Sequence, residues 1–508
     1  MKKQVLLLTG CCAFFMATAQ KTTFRNPVIR GDVADPTIIH VGKNYYAAGT
    51  SSEWAPYYPL FVSQDLVNWQ PIGHLFDRQP EWTVSSFWAP ELYYDGKQVY
   101  LYYTARRKSD DVSYIGVATA EKPEGPFTDH GPIITYGTEA IDAFVIEDQG
   151  ERYISWKAYG LDKRPIEILG CKLSADGLRL EGEPFSLLRD NERRGMEGQH
   201  WLKKGDYYYL VYAVNGCCGP QSDYAVSVAR SKNLKGPYEK YDGNPILHGG
   251  DEIQSCGHGT ITTTDDGRMF YLCHAYLKGG EFFCGRQPIL QELVLGEDEW
   301  LHFKSGETAT LTQPLPFEST IQEPVQDFYD AFGQTTLRKE WSWNYPYSEV
   351  ACSVSEGRLA LSGMPKGSSV SGAALCLRPV TAHTRFETAV VRYDGKWCGI
   401  ALYGDDRNLL SMGIENNRLR LKTVLDGKPE YSEPLADIPD KQPVRLRMEM
   451  HDGKPSAFAY SLDGQVWKPV NLPDREGKGF IQWDRVARPG LYTEGKAEYE
   501  YASLRNLE

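Results

Sequence analysis

Along most of the chain apolar and polar positions alternate in short runs, and the runs recur as one repeat. Ala34-Asp35-Pro36-Thr37-Ile38-Ile39 leads through Gly42-Lys43-Asn44 into Tyr45-Tyr46-Ala47-Ala48. Ala89-Pro90-Glu91-Leu92-Tyr93-Tyr94 leads through Asp95-Gly96-Lys97 into Val99-Tyr100-Leu101-Tyr102-Tyr103, and Ile141-Asp142-Ala143-Phe144-Val145-Ile146 through Asp148-Gln149-Gly150 into Tyr153-Ile154-Ser155-Trp156. Two more copies start at Glu197-Gly198-Gln199-His200-Trp201-Leu202 and at Gly257-His258-Gly259-Thr260-Ile261, each followed by a glycine-bearing turn and an apolar strand. Each copy predicts a β-hairpin, because period-two alternation interrupted by a tight turn can bury only one face of a strand pair.

Measured between Asp35, Glu91, Asp142, Glu197 and His258, the spacings are 56, 51, 55 and 61 residues. That is room for about four strands per copy, the size of a propeller blade. The second half repeats as well: 118–127 ends in Gly-Pro-Phe, 229–238 ends in Gly-Pro-Tyr, and 63–69 holds the same place in the first copy. After Pro314-Leu315-Pro316 and Pro324 the pattern changes, and from Phe328 alternating strands separated by Asp-Gly turns predict an antiparallel sandwich. The expected fold is therefore all-β, a five-bladed β-propeller over 20–318 followed by a β-sandwich over 326–508. Trp341, Trp343, Trp397 and Trp483 are expected in the sandwich core, which gives that domain a packing role ahead of glycan binding.

Composition narrows the setting. Met1-Lys2-Lys3, the apolar stretch 5–16 and Ala17-Thr18-Ala19 have the layout of a signal peptide over 1–19, too short to span a membrane. It predicts an exported, periplasmic protein, with lipid anchoring through Cys11 or full secretion as alternatives. The net charge is −12, and no long basic run invites nucleic acid. Aromatic residues make up 12% of the chain, with 32 Tyr and 12 Trp, and supply flat faces for sugar rings. Of eleven cysteines, nine follow the leader; Cys217 and Cys218 are adjacent and could form either a vicinal disulfide or two buried thiols. Nothing in the sequence bears on oligomeric state.

A propeller gathers its innermost strands around one axis, so Asp35, Glu91, Asp142, Glu197 and His258, each at the expected start of such a strand, should meet at one end of the channel. A carboxyl kept protonated beside one kept ionised is what acetal hydrolysis between sugars requires. Glu197 suits the proton donor, its pKa raised by the nearby charge of Asp142 and by aromatic neighbours such as Trp201. Asp35, on a rigid Ala-Asp-Pro turn, suits the base. Such chemistry needs no cofactor. A propeller that binds glycan without cleaving it is the reading from another class, and the presence of all three acids argues against it.

The runs around Asp35, Asp142 and Glu197, with Gly257-His258-Gly259, Cys284-Gly285-Arg286-Gln287 and the segments 50–54, 63–69 and 86–91, resemble glycoside hydrolase family 43, over roughly residues 25 to 315. The resemblance implies an inverting, exo-acting enzyme with Asp35 as general base, Asp142 as orienter and pKa modulator, and Glu197 as general acid. It implies an α-L-arabinofuranosidase acting on arabinose- or xylose-containing polysaccharide, with β-xylosidase or endo-arabinanase as alternatives. Arg286 falls where the family places an arginine on sugar hydroxyls, and His258 where a histidine helps hold a structural calcium ion through water. Trp54 and Trp88, with Phe87, are expected to wall the sugar pocket. Glu91 is expected to have a structural role. The opening of the second domain, 337–344, resembles the concanavalin-like sandwich attached to many members of the family.

Overall fold

The computed structural model describes residues 22–159, 164–439, 442–452, 454–472, 481–482 and 485–507. The leader and Trp483 lie outside the described residues. Five antiparallel four-stranded sheets follow one another in the chain, over 37–76, 83–134, 139–189, 196–240 and 253–303, each with its strands in sequential order. They form the five blades. Between neighbouring blades the inward faces pack as separate apolar clusters; Tyr102, Ile115, Val145, Ile154 and Trp156, for example, join blades 2 and 3. The ring closes where Ile38, Tyr45 and Phe61 of blade 1 meet Phe270, Leu272 and Leu290 of blade 5. Thr23–Arg25 pairs with Thr312–Pro314 beside this junction, tying the two ends of the propeller together.

The repeat has a backbone signature that shows the true register of the five copies. Asp35, Ala89, Asp142, Gly198 and His258 all have positive φ, of 52°, 41°, 60°, 58° and 45°. In blades 2 to 5 the pairing between first and second strands slips at this same point. A bulge of this kind kinks the strand and re-aims side chains, and a left-handed non-glycine residue is costly enough to need support from its surroundings. The acids therefore do not all stand at strand starts. Asp142, Glu91 and His258 lie inside the strands Glu139–Asp148, Thr83–Tyr94 and Ile253–Thr263, and Asp35 stands two residues before Thr37–Val41. Nor are they equivalent: Glu197 is one residue before the left-handed position, alongside Trp88, and Glu91 is two residues after it, alongside Thr37, His200 and Thr260.

The second domain is a sandwich of two eight-stranded antiparallel sheets. Its core holds Trp341, Phe386, Leu446, Phe458 and Leu491, and Trp343 packs against that core partly buried. Trp397 is fully buried in a different cluster, one that joins the domains. There Trp54 of the propeller lies against Ala374, Cys376, Tyr403 and Tyr492 of the sandwich, edge-on to Tyr403, with the Arg488 guanidinium 4.4 Å from its ring centre. Ala55 and Trp343 form a β-bridge across the same boundary. Among the described residues no helix is long and apolar enough to cross a membrane.

Candidate active site

The bulges bring Asp35, Asp142 and His258 together at the axis. His258 Nδ1 is 3.4 Å from Asp35 Oδ1 and 3.9 Å from Asp142 Oδ2. Asp35 is fixed on both oxygens: Thr50 Oγ1 donates to Oδ2 at 2.6 Å, and Arg286 Nη1 donates to Oδ1 at 3.3 Å. The strained backbone of Asp35 is held by its own N–H, which donates to His274 Nδ1 at 3.1 Å. Burial drives His274 down to about 4, so its ring stays neutral and free to accept that bond. Burial also opposes ionisation of Asp35, but the Arg286 charge and the His258 imidazole outweigh it and hold the carboxyl well below the usual range. A buried carboxylate with one face fixed by donors is a base in waiting.

Asp142 and Glu197 form a coupled pair on the neighbouring blades. The Gly198 N–H donates to Asp142 Oδ2 at 3.0 Å, and the Asp142 N–H donates to Thr104 Oγ1 at 3.2 Å. Glu197 receives two donors, Lys157 Nζ on Oε2 and Tyr224 Oη on Oε1, each at 2.8 Å. Two glycines make this approach feasible: a Cβ on Gly198 would stand 2.4 Å from the His258 ring, and one on Gly257 would stand 2.6 Å from the Tyr224 ring. Burial, with the Glu197 and Asp35 charges adding to it, pushes Asp142 up to about 7. Glu197 moves the other way: burial alone would raise it, but the Lys157 ammonium and the Tyr224 hydroxyl bring it below its ordinary value. The raised Glu197 expected from sequence is thus corrected. The repulsion between the two carboxyls falls on Asp142, while the Lys157 ammonium lowers Glu197, and Trp201 points away to donate to Tyr238 at 2.7 Å. Between them the two carboxyls can hold one proton near neutral pH, with Asp142 the first to take it up.

Two residues beyond the left-handed positions on the inner strands lies a second set of side chains. Thr37 Oγ1 donates to Glu91 Oε2 at 2.9 Å, and the rings of Phe144 and His200 meet at 4.1 Å. Burial pushes Glu91 up to about 8, so near neutral pH it is a mostly protonated, buried hydrogen-bonding partner.

The expected aromatic wall is only partly present. Trp88 stays half-buried at the position that Glu197 holds in its own blade. Phe87 is fully buried between Tyr57 and Tyr345, and Trp54 packs against the sandwich. Both were expected there because loop aromatics beside a blade look alike whether a second domain covers them or not. His258 lies close to the Asp35 and Asp142 carboxylates, and among the described residues no group of three or more His, Cys, Asp or Glu forms a direct metal site. Calcium, which prefers six to eight oxygens, would need water for most of its ligands here.

Lys157, Tyr224, His274 and Thr50 escaped sequence reading. Two of them left a signal: His274 is the one histidine or charged residue in the strand Met269–Leu277, and Lys157 is a charged residue within the buried stretch 153–158 of the strand Glu151–Tyr159. Cys217 and Cys218 are joined as a disulfide, and the other seven cysteines of the described chain are free.

The comparisons with known proteins agree with this geometry. Residues 24–301 match the model of glycosyl hydrolases family 43, and residues 329–485 match the beta xylosidase C-terminal concanavalin A-like domain. A xylosidase/arabinosidase of Humicola insolens is 28% identical over 484 residues, covering 88% of each chain. A non-reducing end alpha-L-arabinofuranosidase of Bacteroides ovatus is 28% identical over 451 residues, covering 83% of this chain and 81% of its own. Among solved structures, a xylan beta-1,4-xylosidase from Bacillus halodurans superimposes with a TM-score of 0.81 at 22% identity, over 95% of this chain and all of the other, a likeness of fold. A family match over more than half of the chain, on a propeller whose bulges gather three carboxyl groups, makes this protein a member of glycosyl hydrolase family 43, a glycosidase with a concanavalin-like second domain.

Proposed function

We propose that the chain is an exo-acting, inverting pentosidase that releases α-L-arabinofuranosyl residues from the non-reducing ends of plant polysaccharide side chains. The observation that carries this reading is the unequal treatment of Asp35 and the Asp142–Glu197 pair: Arg286 keeps the first ionised, while the pair retains a proton. In this scheme Glu197 protonates the leaving oxygen, drawing on the proton it shares with Asp142. Asp35 takes a proton from the water that attacks the anomeric carbon from the opposite face. Asp142 holds the donor in place through Gly198 and balances charge as the oxocarbenium-like state develops. No metal enters the scheme.

A second reading, β-xyloside as substrate, is favoured by the relatives that match both domains. One is named a xylosidase/arabinosidase, and the second domain itself carries a xylosidase description. Hydrolysis of nitrophenyl α-L-arabinofuranoside and β-D-xylopyranoside by the wild type, by Asp35→Asn and by Glu197→Gln tests both readings. The expected result is hydrolysis of at least one substrate, reduced about 10²- to 10⁴-fold in each variant. NMR of the first anomer released tests inversion. Undiminished activity in both variants would overturn the roles, and an inactive wild type would favour a glycan-binding propeller. Export through residues 1–19 belongs to the same proposal.

A further inference from the structure

The loop Asn215-Gly216-Cys217-Cys218-Gly219 leaves the second strand of blade 4 beside the partner of Glu197 and returns to Tyr224, which donates to Glu197. At its tip Cys218 Sγ lies 3.7 Å from Arg286 Nη1, the same nitrogen that donates to Asp35 Oδ1. The loop thus spans the mouth of the site from the Glu197 side to the Asp35 side. Arg286 is only 4% exposed, whereas both cysteines are half-buried, so the disulfide lies nearer to solvent than the arginine does.

This loop is held rigidly. Ser222 Oγ lies within hydrogen-bond reach of the carbonyl oxygens of Gly216 and Cys217 and of Ser255 Oγ. The Gly219 N–H donates to Tyr276 Oη at 3.1 Å, and the Gly216 N–H donates to Asp223 at 2.9 Å. Two adjacent cysteines joined to each other close a small ring whose outer edge is two sulfur atoms without a strong hydrogen-bond donor. Such a surface is polarisable and apolar, suited to the C–H face of a sugar whose hydroxyls are bound elsewhere. Elsewhere, here, is the polar group directly beneath it.

We infer that the Cys217–Cys218 disulfide is a fixed apolar wall of the sugar site, against which the C–H face of the terminal pentosyl ring lies while Arg286 and Asp35 hold its polar edge. It does the work that Trp54 was expected to do. The inference rests on the proposed pentosidase reading.

Two measurements test it. The first compares the wild type with Cys217→Ser/Cys218→Ser on the nitrophenyl pentoside that the wild type hydrolyses. KM and the inhibition constant of the free pentose should both rise about tenfold, the loss of roughly one stacking contact, while kcat stays within about twofold. The second follows reduction of the wild-type disulfide by a water-soluble phosphine, read by alkylation and mass spectrometry, with and without saturating pentose. The sugar should slow reduction at least fivefold. Unchanged KM and inhibition in a folded double variant, equal reduction rates with and without sugar, or two free thiols in the unreduced protein would each overturn the wall. Should the variant fail to fold, the protection measurement decides alone. A wild type that neither hydrolyses nor binds any pentoside would overturn the pentosidase reading and the wall with it; an active wild type with unprotected sulfurs would overturn the wall alone.

Discussion

Lys157 Nζ stands 2.8 Å from Glu197 Oε2, reaching from the second strand of one blade to the first strand of the next. The lysine is almost fully buried and also lies 3.8 Å from Glu139, so its charge is compensated by acids and not by water. A cation this close makes the proposed donor a stronger acid than burial alone would. Lys157→Met should therefore raise the pKa of the Asp142–Glu197 pair and carry the alkaline limb of the kcat/KM profile up by about 1–2 pH units, the usual size of such a charge effect. Lys157→Arg should leave the limb nearly in place. An alkaline limb unmoved in Lys157→Met would show that this pair does not supply the proton.

The acid limb belongs to Asp35. Arg286 is the largest influence lowering its pKa, so Arg286→Met should move the limb to higher pH, with activity lost earlier on acidification. A pH profile of kcat/KM on the better pentoside checks this. A variant that loses activity equally at every pH would place Arg286 on the sugar alone.

Glu91 offers a test of stability without chemistry. Its folded pKa of about 8 lies above its ordinary value of 4.5, so its stabilising contribution is complete below about 4.5 and is lost as pH rises through about 8. Glu91→Gln mimics the neutral form and should flatten that stretch of the stability curve while leaving kcat unchanged. Glu91→Ala leaves the Thr37 hydroxyl without its acceptor and should cost about 1–3 kcal/mol. Urea midpoints between pH 4.5 and 9 distinguish the three proteins.

Trp54→Ala removes a buried propeller side chain that packs against the sandwich, and large aromatic deletions of this kind cost about 3–5 kcal/mol. It also strips Arg488 of the ring it stacks on, beside Asp32, which accepts from the Arg286 N–H at 3.1 Å. We expect a lower unfolding midpoint together with a weakened KM, because the arginine segment loses support. Loss of stability with KM unchanged would confine Trp54 to the domain interface.

Much of the centre was legible before any coordinates. The hairpin repeat pointed to five blades because alternation reports which strand face is buried, a local property. Asp35, Asp142 and Glu197 stood out because a repeat converts distance in sequence into proximity at an axis. The register was not legible: Glu91 and Glu197 look equivalent to Asp35 in the letters, but the left-handed residue that sets equivalence is Ala89 in one blade and Gly198 in another. Nor were Lys157 and His274 singled out, since a polar residue among the apolar positions of a strand is as readily a surface position as a buried partner of an acid.

Taken alone, the sequence determined the architecture and the three carboxyl groups, because periodicity and turn chemistry act between near neighbours. Tertiary structure decided what each group is worth. Whether Glu197 is an easily protonated acid or a salt-bridged one depends on a lysine forty positions away, and whether Trp54 faces sugar or sandwich depends on a domain that starts more than 270 residues later. Electrostatic coupling and burial follow distance in space, and only the closed ring of blades with the sandwich against it sets those distances.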